Sequence, residues 1–196
     1  KGKVALVGGG IGVAPLYLVA KNIENCDAYL GFRKEAILEE EQRRYEELQV
    51  FALDFARQGK TQDLKAMLEA KMPINLCDHK GNSLLMLASY NGNLETTQLL
   101  VDMGADVDKK NDRGQTPLAG VCFKGYLDIV KVLVKAGANI YENNGMGTTP
   151  IMFASMFGNY EIVKYLNKEN SNYKTKFYLL ISKIFAIIKH IFKKGK

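Results

Sequence analysis

Four glycines recur at a fixed interval of 33 residues, Gly59, Gly92, Gly125 and Gly158, and a second series, Gly81, Gly114 and Gly147, keeps the same step. Glycine adopts left-handed backbone at the least cost, so a fixed step marks a turn reused at equal intervals. Between the turns stand two short apolar-periodic segments, clearest at 117–123 and 127–134, joined by Lys124-Gly125-Tyr126 and closed by Gly137, which Gly104 matches one period earlier. Helices of about seven residues are marginal alone. Copies of such a pair must therefore stack on one another, which predicts four helix pairs over 49–168. The expected core runs through Leu99, Leu100, Val130, Leu133, Val163 and Leu166.

The period and its motifs resemble the ankyrin repeat. Thr116-Pro117-Leu118 and Thr149-Pro150-Ile151 match the opening of the family's first helix, where proline at a first-turn position loses no needed donor. Asp128-Ile129-Val130 and Glu161-Ile162-Val163 match its second-helix core, and Gly104-Ala105-Asp106-Val107 and Gly137-Ala138-Asn139-Ile140 its closing turn. The family's usual histidine is replaced by Met86, Ala119 and Met152, so the hydrogen bonds it makes between repeats are expected to be absent. Lys71 stands where the first closing glycine is expected, and the fourth copy stops at Leu166 before its turn.

This resemblance implies a mainly α fold, an ankyrin solenoid of four helix pairs, that presents a concave face and turn tips to another protein. Carried over, the tips are His79, Lys80 and Asn82, then Asp112, Arg113 and Gln115, then Met146 and Thr148. The groove positions are Arg57, Tyr90, Phe123 and Met156, with Gln58, Asn91, Lys124 and Phe157 beside them. Tyr90, Phe123 and Met156 make a ladder of large apolar side chains on a face where a monomer is expected to be polar. Short bacterial ankyrin proteins that assist oxidative-stress enzymes such as catalase also resemble this region. Within the repeats there is no nucleophile–base pair, metal-ligand set or phosphate loop, so no catalytic residue is expected.

Residues 1–35 read differently. Val4-Ala5-Leu6-Val7 is a buried-strand run, a glycine-rich turn follows, Pro15 stands where a helix would begin, and 27–33 reads as a second strand. Such a turn lets a diphosphate approach backbone N–H groups at a helix N-terminus. The string Gly8-Gly9-Gly10-Ile11-Gly12-Val13-Ala14-Pro15-Leu16, followed by Gly31-Phe32-Arg33, resembles the NAD(P)-binding half of ferredoxin-reductase-type flavoproteins, of the kind found in dihydroorotate dehydrogenase electron-transfer subunits. The resemblance implies a βαβ segment with Gly8, Gly9, Gly10, Gly12 and Pro15 at an NAD(P) site, but the flavin barrel, the further strands and the iron–sulfur cysteines of that family are missing. The expectation is a truncated remnant without redox activity, and a fragment or fusion of an NAD(P)H-dependent reductase subunit is the alternative. Residues 36–48, rich in Glu39, Glu40, Glu41, Arg43 and Arg44, predict a charged linker helix with ion pairs at i,i+3 and i,i+4.

Charge separates the segments. Residues 1–48 carry a net −1, residues 49–168 a net +1 and residues 169–196 a net +6. The basic pI of 9.1 therefore describes the tail, and the repeats give no reason to expect a nucleic-acid partner. In 177–192, Phe177, Leu180, Ile181, Ile184, Ile188, Ile191 and Phe192 form one helical face and Ser182, Lys183, Lys189, His190 and Lys193 the other. A basic amphipathic helix of this kind either caps or self-associates through its apolar face or lies in an anionic membrane surface. Cys26, Cys77 and Cys122 are too far apart for a metal site and point to reduced thiols and a cytoplasmic setting.

Overall fold

A computed structural model describes residues 28–168 and 174–194, with side chains for 37–168 and 177–188. The chain divides into two compact units, residues 1–49 and 50–196. Helix α1 runs Ala28–Gln58, so the first unit is helical from Ala28 and the last turns of α1 belong to the second. This corrects the expected strand at 27–33. Ala28, Leu30, Arg33 and Lys34 are good helix formers that run without a break into the Glu/Arg stretch, and that continuity outweighs a short strand-like run. Arg44 pairs with Glu40 at 2.6 Å and Gln42 donates to Glu46 at 3.0 Å, both one turn apart on α1. The strand expected at 4–7 and the glycines of the nucleotide turn lie outside the described residues.

In the second unit, the end of α1 pairs with α2 (Thr61–Glu69), and three further pairs follow. These are α3 (Leu84–Tyr90) with α4 (Leu94–Asp102), α5 (Pro117–Lys124) with α6 (Leu127–Lys135), and α7 (Pro150–Met156) with α8 (Tyr160–Lys168). From α3 onward first helices pack on first helices, and second helices pack on second helices in every neighbouring pair. The sequence sets the helix ends. Ser83 and Thr116 accept the Met86 and Ala119 amides at 3.2 and 3.3 Å, satisfying orphan donors at the starts of α3 and α5. At the far ends, the amides of Met72, Ala105 and Ala138 bond back to the carbonyls of Met67, Leu100 and Leu133. That closure requires a left-handed residue. Gly104 (φ 85°) and Gly137 (φ 91°) supply it, and in the first pair Lys71 adopts it at φ 71°.

One continuous core threads the pairs, with Leu64, Leu84, Leu85, Leu100, Leu118, Leu133, Ile162 and Leu166 among its fully buried side chains. Of the expected core, Leu100, Val130, Leu133, Val163 and Leu166 are buried, whereas Leu99 is only half-buried. Met86 and Ala119, at the missing-histidine stations, are buried apolar residues. Cross-repeat bonds come from asparagine instead. Asn93 Nδ2 donates to the Ala56 and Arg57 carbonyls, both at 2.9 Å, and Asn159 Nδ2 to those of Cys122 and Phe123 at 2.8 and 3.2 Å. Each asparagine thus satisfies the free carbonyls at the end of the preceding repeat's first helix.

Helix α9 (Lys174–Lys194) packs against α7 and α8. It does not use the expected face. Tyr178 and Leu179 join the core and Ser182 is fully buried, while Phe177, Leu180, Ile184 and Ile188 are exposed. The physical reason is close approach. A Cβ on Gly158 would lie 2.8 Å from the Ala186 amide nitrogen, so the helix seats its small residues where backbones nearly touch. The Ser182 hydroxyl is satisfied within the helix by donating to the Leu179 carbonyl at 2.9 Å.

Candidate partner-binding face

The turn tips are built alike. Asp78, Asn111 and Asn144, 33 residues apart, each use Oδ1 to accept two backbone amides, two and four residues on. A short side-chain acceptor closing its own turn is the Asx pattern. It leaves His79, Lys80, Asp112, Arg113 and Met146 exposed at the tips, Met146 to 83%. Asn82 and Gln115 turn inward, where Asn111 Nδ2 donates to Asn82 Oδ1 at 2.8 Å and to Gln115 Oε1 at 3.4 Å. Thr148 is half-buried and its amide closes the third turn.

Only the first of these turns carries a charge at the acceptor. Burial works against ionisation of Asp78, but hydrogen bonds from the Asn82 side chain and backbone, the Lys80 amide and the Arg57 guanidinium outweigh it and hold the carboxyl below its usual range. Arg57 bridges Asp54 at 2.8 Å and Asp78 at 3.0 Å. It is thereby committed to the fold, unlike the other groove positions. Asn91 is exposed, with Nδ2 bonded to the Leu87 carbonyl at 2.8 Å.

The remaining groove residues form a series of rings. Tyr90 and Phe123 stack in parallel with centroids 6.4 Å apart, and Phe123 meets Phe157 edge to face at 4.3 Å. Lys124 Nζ lies 4.5 Å from the Tyr90 centroid, a cation over a ring face. A Cβ on Gly120 would come 3.2 Å from Tyr90, so this glycine leaves room for the ring. Phe123 is half-buried between its neighbours, whereas Tyr90, Met156 and Phe157 are exposed. The result is an apolar strip whose rings are held by their contacts before any partner arrives.

Gly120, Asn93 and Asn159 were not singled out by sequence reasoning. The asparagines had a signal, since they stand two repeat periods apart, and so did the Asx series at 78, 111 and 144. Gly120 had none, because what it accommodates lies one repeat away. Cys77 and Cys122 are free thiols, each pushed up first of all by burial. Among the described residues no group of His, Cys, Asp and Glu could hold a metal ion. A second groove, along α2, α4 and α6, is lined by Lys65, Gln98, Asp128 and Lys131, with the last two paired at 2.9 Å. Gly8, Gly9, Gly10, Gly12 and Pro15 lie outside the described residues.

The family described as ankyrin repeats (3 copies) matches residues 52–144 and again 85–177. An ankyrin repeat protein of Pseudomonas aeruginosa is 54% identical over 46 residues, 24% of this chain and 27% of that protein. Human oxysterol-binding protein-related protein 1 is 38% identical over 86 residues, 43% of this chain and 9% of its own. The electron transfer subunit of dihydroorotate dehydrogenase B (NAD(+)) from Clostridium acetobutylicum is 62% identical over 34 residues, 16% of this chain and 14% of that subunit. The chain thus spans about a quarter or less of each of these relatives.

Proposed function

The chain belongs to the ankyrin-repeat family, and from that premise we propose that residues 49–168 are a non-catalytic module that binds another protein through the strip of Tyr90, Phe123, Phe157 and Met156 and the tips at His79, Lys80, Asp112, Arg113 and Met146. Ankyrin repeats generally mediate protein–protein interaction, and the family is generally non-enzymatic. The observation that carries the reading is the ring series Tyr90–Phe123–Phe157 on an exposed face. Aromatic anchors dominate interface energetics, and rings already fixed lose little conformational freedom on binding. Asn91 and Lys124 border the strip as polar contacts, and free thiols fit a cytoplasmic setting.

The test compares proteins captured from cell extract by the full chain with those captured by a Tyr90→Ala/Met156→Ala variant. Both residues are exposed, so the variant is expected to melt within a few degrees of the parent. Affinity for a captured partner should fall by about tenfold or more per anchor. Equal capture by a well-folded variant would move the interface elsewhere.

The reductase match supports a second reading for residues 1–35, a nucleotide site at Gly8, Gly9, Gly10, Gly12 and Pro15 that takes NAD(P). Saturable NAD(P)H binding by calorimetry, lost in Gly10→Val, would establish it. No binding by the parent would leave the segment as a remnant.

A further inference from the structure

The apolar face of α9 is left open while its other face is docked. Phe177 (61% exposed), Leu180 (58%), Ile184 (47%), Ile187 (61%) and Ile188 (40%) follow one another at spacings that keep them on one side of the helix. Tyr178, Leu179, Ser182 and Ala186 hold the opposite side against α7 and α8. The same 21-residue helix carries Lys174, Lys176, Lys183, Lys189, Lys193 and Lys194 and no acidic residue, in a segment whose net charge of +6 equals that of the whole chain.

We infer that α9 is a membrane-surface element: docked on the last repeat through the side that carries Tyr178, Leu179, Ser182 and Ala186, it presents its open apolar face to an anionic lipid bilayer and lies in the plane of the headgroups. Charge complementarity selects this occupant. A cytoplasmic leaflet rich in anionic lipid attracts basic segments, and a helix with one apolar face buries that face at the headgroup–acyl boundary. A second copy of the chain is the competing occupant. By helical register Lys174, Lys176, Lys183 and Lys194 flank this face, so an isologous contact across it would bring like charges together with no acid on either helix to answer them. Insertion across the bilayer is a different matter, because no helix among the described residues is long and apolar enough to span it. The inference is independent of the ring strip, since it rests on none of Tyr90, Phe123, Met156 and Phe157.

The test is sedimentation of the full chain with vesicles of phosphatidylcholine alone and of phosphatidylcholine containing roughly a third phosphatidylserine. Partitioning is expected to be at least about tenfold stronger on the anionic vesicles and to weaken as salt rises. A Leu180→Asp/Ile187→Asp variant, altered only on the open face, should melt like the parent and lose at least about tenfold in partitioning. Equal binding to both vesicle types, or no binding to either, overturns the inference. So does a lipid-free dimer, seen by sedimentation equilibrium, that the double variant dissociates, because the occupant would then be a second copy.

Discussion

Lys71 shows what the repeat demands of a single residue. It sits at φ 71° in the station that Gly104 and Gly137 fill one and two periods on. A side chain in that conformation costs roughly 1–2 kcal/mol, while glycine gives back about 0.4–1 kcal/mol through a freer unfolded chain. Lys71→Gly should therefore stabilise the protein by about 0.5 kcal/mol, read from the midpoint of urea denaturation. A loss of stability would mean that the lysine stem contributes packing that outweighs the strain. Asp78 makes a second test, through pH. Its carboxyl titrates lower in the folded protein than its ordinary 3.8, so the stability it confers is complete above that value and is lost as pH falls through the lower folded one. Asp78→Asn keeps the Asx acceptor used by Asn111 and Asn144 but removes the charge opposite Arg57. Its Nδ2 would face the Asn82 and Arg57 donors that the carboxylate Oδ2 accepts, so the variant is expected to lose about 1–3 kcal/mol at neutral pH. Its stability should also fall less steeply below pH about 4. An acid limb as steep as the parent's would shift the responsibility to other carboxylates.

Between elements, the joins are made by side chains that reach back one repeat. Asn159 satisfies two carbonyls at the end of α5, so Asn159→Ala leaves them to water or unpaired and should cost about 1–2 kcal/mol in denaturant unfolding. At the matching position of the third repeat stands Tyr126, whose ring would lie 3.0 Å from a Cβ on Gly92. Contact replaces hydrogen bonding there. This is also where the sequence stops being legible. Glycine steps, Thr-Pro openings and apolar spacing announce the pairs, their order and nearly all of the core, because each expresses a rule local to one helix or turn. The ring strip was legible as positions, Tyr90, Phe123 and Met156, but its coupling to Phe157, Lys124 and Gly120 depends on distances between repeats. Arg57 occupied a groove position in the sequence, and Asp54 is its local i,i+3 partner, yet the Asp78 carboxylate that commits it to the fold becomes its neighbour only when the turn folds. For α9, sorting residues by polarity picked out the face that stays open. The docked face depends on a close approach between repeats and helix, since Gly158 meets the α9 backbone at Phe185 and Ala186, and that is not visible in the polarity pattern.

For the unit formed by residues 50–196, stability is shared between neighbours, as stacked repeats require. Removing 171–196 takes Tyr178 and Leu179 from the core and uncovers α7 and α8. The melting temperature of the shortened chain should fall by several degrees, and an unchanged value would mean that α9 contributes nothing to the fold. Gly59, Gly92 and Gly125 each abut a side chain of the following repeat, Asn93, Tyr126 and Asn159 in turn, whereas Gly158 abuts the backbone of α9. The helix therefore occupies the berth a fifth repeat would take. In the currency of gene duplication, this makes the array's two kinds of seam unequal. A 33-residue copy slipped in between existing repeats finds the same glycine ahead of it and hands the same glycine on, leaving α9 where it was. A copy added directly after α8 must evict that helix from Gly158 and offer it a new landing place with a glycine of its own. A copy inserted between existing repeats is therefore expected to leave α9 seated, whereas one added after α8 is expected to keep it only if the new copy brings a glycine at the Gly158 station.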